Sequence, residues 1–108
     1  MSQGLVIDYL DTGEKDYVPL FAERLFWEII QPVIANRSDF VWLHRLEVGI
    51  SITDDNLDTL VSEFEALLKD IFESKLPDDI KAFIKYRVSY VLERINGLKG
   101  REFDAFVG

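Results

Sequence analysis

The most regular hydrophobic pattern in this chain lies at residues 54–74, DDNLDTLVSEFEALLKDIFES. Its apolar residues are Leu57, Leu60, Val61, Phe64, Leu67, Leu68, Ile71 and Phe72. They recur at the i, i+3, i+4 and i+7 spacing that places them on one face of an α-helix. Thr53 is positioned to cap the first turn, and Asp54 and Asp55 complement the positive end of the helix dipole. The pattern predicts an amphipathic helix that buries one stripe.

A second apolar stripe follows at residues 80–98. Its members are Ile80, Phe83, Ile84, Val88, Val91, Leu92, Ile95 and Leu98. Pro77, between the two stripes, is tolerated in the first turn of a helix, and Asn96-Gly97 is a natural left-handed stop. The short link predicts an antiparallel helical hairpin in which the two stripes face each other.

The remaining chain suggests two more helices. Residues 17–35 are apolar around most of a helical circumference, which is typical of a central helix, and Pro32 is expected to bend or end it near Ile30. Ser38-Asp39 is a typical helix start, and we expect a helix over residues 39–47 with an extended segment after it.

Two segments have hydrophobic patterns that are also compatible with β-strands. Residues 5–10 fit either a short helix or a strand, and residues 46–52 alternate with the period of two that is typical of a strand. A strand at 46–52 needs a partner, which only residues 5–10 or 103–107 can supply. We therefore predict one helical domain over residues 1–108, a mainly α bundle of about four helices. The alternative is an α+β fold whose small sheet uses residues 46–52.

Composition limits the possible functions. Hydrophobic residues make up 48% of the 108-residue chain, and there is no Cys. The absence of a secretion signal and of a long apolar run predicts a soluble, cytoplasmic protein. One His and no Cys cannot form a zinc set, and we find neither a phosphate-binding loop nor a nucleophile motif. We expect no enzyme activity, no metal, no cofactor and, given the pI near 4.5, no direct nucleic-acid ligand.

Two local patterns invite a chemical interpretation. Asp54-x-Asn56-x-Asp58, with Glu65, matches four ligand positions of a calcium-binding loop, but Thr59 replaces the Gly that the loop needs for its turn. We therefore expect no calcium site and an acidic first helical turn. His44 is the single imidazole and is expected to be structural or interfacial.

Charge is divided unevenly along the chain. Residues 1–80 carry six Lys/Arg against seventeen Asp/Glu, a formal −11, whereas residues 81–108 carry six against three, a formal +3. Polar residues on the 54–74 helix, joined to the acidic pair that follows it, predict an acidic ridge that attracts a basic partner. The candidate partner-binding residues are Asp55, Asp58, Thr59, Glu63, Asp70, Glu73, Asp78 and Asp79.

The last predicted helix carries a stripe of rings and guanidinium groups: Phe83, Arg87, Tyr90 and Arg94. This composition is typical of binding hot spots. The alternative, which we favour, is internal, with Arg87 and Arg94 stacking on the rings and pairing with carboxylates of the acidic region.

The first 30 residues carry a family resemblance. Leu5-Val6-Ile7-Asp8-Tyr9-Leu10-Asp11-Thr12-Gly13-Glu14, followed by Phe21-x-x-Arg24-Leu25-Phe26, is similar to the short helix, turn and helix that open some colicin D-like immunity proteins. The profile also resembles immunity proteins of contact-dependent growth inhibition. The resemblance implies a helical antitoxin that binds its cognate bacterial toxin, often a nuclease, and blocks the active site. The rest of the chain departs from that family, lacking its acidic tail motif, and no binding residue is carried over because the family's binding positions are not the ones that match.

We therefore expect an immunity protein that covers the active site of a basic, nuclease-like toxin with an acidic surface. The alternatives are a phage-type anti-defence inhibitor that mimics nucleic acid, and a helical adaptor or structural subunit. The sequence does not predict an oligomeric state.

Overall fold

The computed structural model describes residues 2–108, which form four strands, three helices and one 3₁₀ turn. The strands are β1 (Gly4–Tyr9), β2 (Lys15–Pro19), β3 (Ile50–Ile52) and β4 (Phe103–Val107). Helix α1 joins the segments Glu23–Leu25, Phe26–Ile30 and Gln31–Ala35, α2 is Leu57–Glu73, and α3 is Asp78–Asn96. The fold class is α+β, so the prediction of a mainly α bundle of about four helices is wrong.

The four strands form one antiparallel sheet in the order β2-β1-β4-β3. The first and last strands of the chain are its two central strands, with Ile7 opposite Ala105. Ile52 lies opposite Ala105 on the other side of β4. The alternative of an α+β fold agrees with this class, although the strand predicted at 46–52 is limited to Ile50–Ile52.

Strands β1 and β2 form a β-hairpin, so residues 5–10, which fit either a short helix or a strand, lie in a strand and its turn, and the helix predicted from residue 17 does not begin there. Leu5, Ile7 and Val18 are buried on one face of the sheet. Pro19 is the last residue of an edge strand, a position where the missing N–H costs no sheet hydrogen bond. The predicted helix over residues 17–35 is therefore wrong in its first turns. The resemblance implied a short helix at residues 5–10, and that segment lies in β1 and the turn after it.

We expected Pro32 to bend α1 or to end it near Ile30, and the helix does not end there. The Gln31 N–H donates to the carbonyl oxygen of Phe26, five residues earlier, which is the hydrogen bond of a π-turn. The wider turn precedes Pro32, which cannot donate an N–H of its own. The helix then continues to Ala35.

The predicted helical hairpin is confirmed by α2 and α3, which pack against each other. Phe64, Ile84, Val88 and Val91 are fully buried and join the inner face of the sheet in one core. Phe72 belongs to the same predicted stripe but is 65% exposed, with the Lys81 ammonium 6.0 Å from the centre of its ring. None of the helices formed by residues 2–108 combines the length and hydrophobicity that crossing a bilayer requires.

The helix predicted over residues 39–47 is also wrong. Only the 3₁₀ turn Leu43–Arg45 forms there. The backbone N–H groups of Val41, Trp42 and Leu43 donate to the carboxylate of Glu63 instead of forming a longer helix. The position of this segment is therefore set by a residue of α2, outside its own sequence.

Candidate functional site

One face of the sheet is open to solvent in the described chain. Successive strand residues alternate between the helical core and the opposite face. We call this opposite side the outer face, and its residues are Val6, Asp8, Lys15, Tyr17, Ser51, Asp104 and Phe106. No described element packs over them, so the outer face is available to a partner.

An apolar row crosses the middle of the outer face. Tyr17 and Phe106 lie on either side of Val6. The exposed fraction is 55% for Tyr17, 43% for Phe106 and 44% for Val6. The Phe106 ring lies over Gly49, where an added Cβ would come within 2.1 Å of it. Exposed rings of this kind, held in place by close contact with backbone, are suited to protein–protein contact.

An acidic row lies beside the apolar one. Asp8 is opposite Lys15 on one side and Asp104 on the other. Asp8 and Lys15 form an exposed ion pair of 3.6 Å. Asp104 has no cationic partner among residues 2–108, and like charges directly opposite each other are unfavourable. The row therefore favours a cation supplied from outside the chain.

A groove of about 440 Å³ adjoins the acidic row, where the loop before α2 meets the loop before β4. Three carboxylates line it, those of Asp54, Glu102 and Asp104, and none of them has an ion-pair partner in the described part of the chain. Arg101 is the cation of the groove. We call this feature the acidic groove.

Arg101 is neutralised by its own contacts. Its guanidinium donates to both carboxylate oxygens of Asp11 at 2.8 and 3.0 Å and lies 4.2 Å from the centre of the Tyr9 ring. Hydrogen bonding lowers the pKa of Asp11 and raises the pKa of Arg101. Because this cation is already paired, the three carboxylates dominate the charge of the acidic groove.

Asn56 fixes the loop that carries Asp54. Its Oδ1 accepts from the Thr53 N–H at 2.8 Å, and its Nδ2 donates to the Ser51 carbonyl oxygen at 2.8 Å. Asn56 is buried, so this member of the calcium-like motif serves the loop. Within residues 2–108, no three His, Asp or Glu side chains converge as metal ligands would.

The predicted acidic ridge does not form one continuous surface. Asp55, Asp58 and Thr59 are exposed at the start of α2, and Asp58 forms a 3.0 Å ion pair with Lys99. Glu73, Asp78 and Asp79 are exposed at the other end of the hairpin. Thr59 lies in the first turn of α2 and Glu73 ends it, so roughly 21 Å of helix separates the two groups.

The two ridge residues between these ends are used internally. Glu63 is only 6% exposed, so the interpretation that it lies on a solvent face is wrong. Its carboxylate accepts three backbone N–H groups, from Val41, Trp42 and Leu43, at 2.9 to 3.0 Å. Asp70 accepts two 3.1 Å hydrogen bonds from Arg37. Neither carboxylate is free to meet a partner.

His44 and Arg94 have structural contacts. The Nε2 of His44 lies 2.5 Å from the carbonyl oxygen of Arg37, and its ring is edge-on to Phe40. Arg94 pairs with Asp16, as the internal interpretation predicted. Arg87 stacks 5.0 Å above the centre of the Phe83 ring but pairs with no carboxylate of residues 2–108.

The patterns in the sequence do not by themselves identify the three carboxylates that line the acidic groove. Asp54 was assigned to helix capping, and Glu102 and Asp104 lie in the basic C-terminal region. The signal that was available is the alternation of residues 103–107, which we named only as a possible strand. Pairing that segment with β1 would have placed Asp104 beside Asp8 on one face.

Comparisons with known proteins identify no relative of this chain. No family model, curated protein or solved structure matches this chain. Its function is therefore argued from the geometry of its own surfaces.

Proposed function

We propose that this chain is an immunity-type inhibitor that binds a basic protein, such as a nuclease toxin, through its outer face and acidic groove. The observation that carries the proposal is the group of three unpaired carboxylates, Asp54, Glu102 and Asp104, around a groove next to exposed rings. The apolar row supplies area that is removed from water on binding, and the carboxylates supply charge complementarity.

The mechanism requires no chemical step by this chain. A toxin that cleaves nucleic acid binds phosphates with a cluster of Lys and Arg, because phosphate contacts dominate such affinities. Carboxylates at the rim of a groove present negative charge to the same cluster. The inhibitor then excludes substrate by occupying the surface that the substrate needs. Long-range attraction between the two surfaces speeds their encounter.

The resemblance of residues 5–14 and 21–26 to immunity proteins is one of sequence only, because the short helix that it implied over residues 5–10 is a strand and a turn in this fold. Those residues form the β1–β2 hairpin and the beginning of α1, and the hairpin contributes Val6, Asp8 and Tyr17 to the outer face. The segment that carries the resemblance thus contributes directly to the proposed interface.

The test is to co-express this chain with the protein encoded directly upstream of its gene and to measure growth. We expect the upstream product to arrest growth and this chain to restore it. The double variant Asp54→Lys with Glu102→Lys should lose the rescue. The control, Glu65→Lys, reverses an exposed charge on α2 outside the groove and should keep it. Full rescue by the double variant, or an upstream product that this chain does not inhibit, contradicts the proposal.

A further inference from the structure

A second surface, at the edge of the sheet, has the opposite charge. The exposed edge of β2 and the side of α3 enclose a groove of about 330 Å³ lined by Val18, Pro19, Tyr86, Arg87 and Tyr90. We call it the edge groove. Arg87 is its one charged lining residue.

Arg87 stacks on the Phe83 ring but lacks, in the described part of the chain, a carboxylate partner of the kind that Arg94 has. Arg94, two turns further along α3, pairs with Asp16, whereas Arg87 has no carboxylate partner and no hydrogen bond within residues 2–108. Its Nε is shielded from solvent without an acceptor. A shielded donor without an acceptor costs free energy, and guanidinium groups pair most favourably with carboxylates in a two-point geometry.

The walls of the edge groove are aromatic and apolar. Tyr86 and Tyr90 are 60% and 43% exposed, and their ring centres are 5.2 Å apart. On the opposite side, Val18 and Pro19 belong to β2, which pairs with β1 and with no other strand of residues 2–108. A site that combines Tyr and Arg side chains with an apolar wall has the composition of a binding hot spot.

We propose that the edge groove binds a segment of a partner protein that carries a carboxylate for Arg87 next to an apolar side chain. Charge complementarity selects this occupant, because the Arg87 guanidinium stacks on the Phe83 ring but pairs with no carboxylate of residues 2–108, so that a partner has to supply the anion. The two tyrosine rings cover the apolar side chain beside it. This inference does not depend on the proposed function, since it concerns different residues and a partner segment of opposite charge.

The test is a selection of peptides from a random library displayed on phage, with the full chain immobilised. We expect the recovered peptides to contain Asp or Glu beside a bulky apolar residue. Their Kd should rise roughly tenfold or more with Arg87→Gln, because the amide cannot form the charge-assisted hydrogen bonds that a guanidinium forms with a carboxylate. Amide resonances of β2 and α3 should shift when the peptide binds.

The matched control is Arg45→Gln. Arg45 also lacks a carboxylate partner in the described chain, and it lies 5.9 Å from the centre of the Trp42 ring, outside the edge groove. Peptide affinity should be unchanged in this variant. If Arg87→Gln fails to fold, Tyr86→Ala, which truncates an exposed ring, should weaken the same peptides. Recovery of no binder, binders without a carboxylate, or equal affinity for Arg87→Gln and Arg45→Gln overturns the inference.

Discussion

The carboxylate of Glu63 accepts a 2.9 Å hydrogen bond from the backbone N–H of Leu43, twenty residues earlier in the chain. The same carboxylate accepts from the two preceding N–H groups, so it serves as the cap of the 3₁₀ turn Leu43–Arg45. A buried carboxylate with three N–H donors is a structural group. Its removal leaves three backbone donors without an acceptor.

Glu63→Ala should therefore lower the free energy of unfolding by roughly 2–4 kcal/mol, measured by urea denaturation. Glu65→Ala is the control, because Glu65 is exposed two residues later on α2 and should change stability by about 0.5 kcal/mol or less. If Glu63 were a ridge residue, both variants would behave alike, and that result would contradict the capping role.

The helical hairpin provides a second prediction. Phe64 is fully buried between α2, α3 and the sheet, so Phe64→Ala should cost roughly 3–5 kcal/mol. Phe72→Ala removes the same atoms at a position that is 65% exposed on the same helix, and it should cost about 1 kcal/mol or less. Similar urea midpoints for the two variants would rule out the packing described.

The contact between Gly49 and the Phe106 ring on the outer face provides a third prediction. Gly49→Ala places a Cβ 2.1 Å from the Phe106 ring at a φ of +107°, so we expect a loss of roughly 1–3 kcal/mol. Gly100→Ala has a comparable φ of +75° but no atom within 4 Å of the new Cβ, and it should lose less, roughly 1–2 kcal/mol. The two variants are compared by thermal unfolding. An equal loss of stability would show that the Phe106 ring is not held against Gly49.

The lowered pKa values of two surface carboxylates allow a prediction of how the stability of the fold depends on pH. Hydrogen bonds from Arg37 lower the pKa of Asp39, and those from Arg101 lower the pKa of Asp11, both from an ordinary value of 3.8. A lowered folded-state pKa stabilises the fold above the unfolded-state value, and that contribution is lost as the pH falls through the folded-state value. Stability should therefore decline below about pH 4.

The double variant Asp11→Asn with Asp39→Asn tests this assignment. It should be less stable than the parent at neutral pH and should lose less stability on acidification, when both are followed by urea midpoints. An acid profile identical to that of the parent would assign the decline to other carboxylates.

The sequence predicted the parts of the fold whose cause is local. The stripes of α2 and α3 have the period of a helix and a Pro between them, so the hairpin could be predicted without knowledge of the rest. The sheet could not, because β1 pairs with β4, which lies almost a full chain length away. A strand of five residues such as Phe103–Val107 has no stable partner until that long-range pairing forms.

The same limit explains the errors at the candidate site. Glu63 has the spacing of a polar flank residue, and only the fold of residues 41–43 shows that its carboxylate is buried. Asp104 lies in the basic C-terminal region, and only the register with Asp8 places it on an acidic row. In both cases the decisive neighbour lies on another element.

The central claim is that the acidic groove attracts a basic partner. The most direct measurement is the association rate between this chain and the upstream-encoded protein at low and high salt, for the parent and for Asp54→Asn with Glu102→Gln and Asp104→Asn. We predict that the parent associates rapidly at low salt and slows steeply as salt screens the charges, and that the triple variant is slower with a weaker salt response. A salt response that is flat in the parent, or unchanged in the triple variant, would contradict the account.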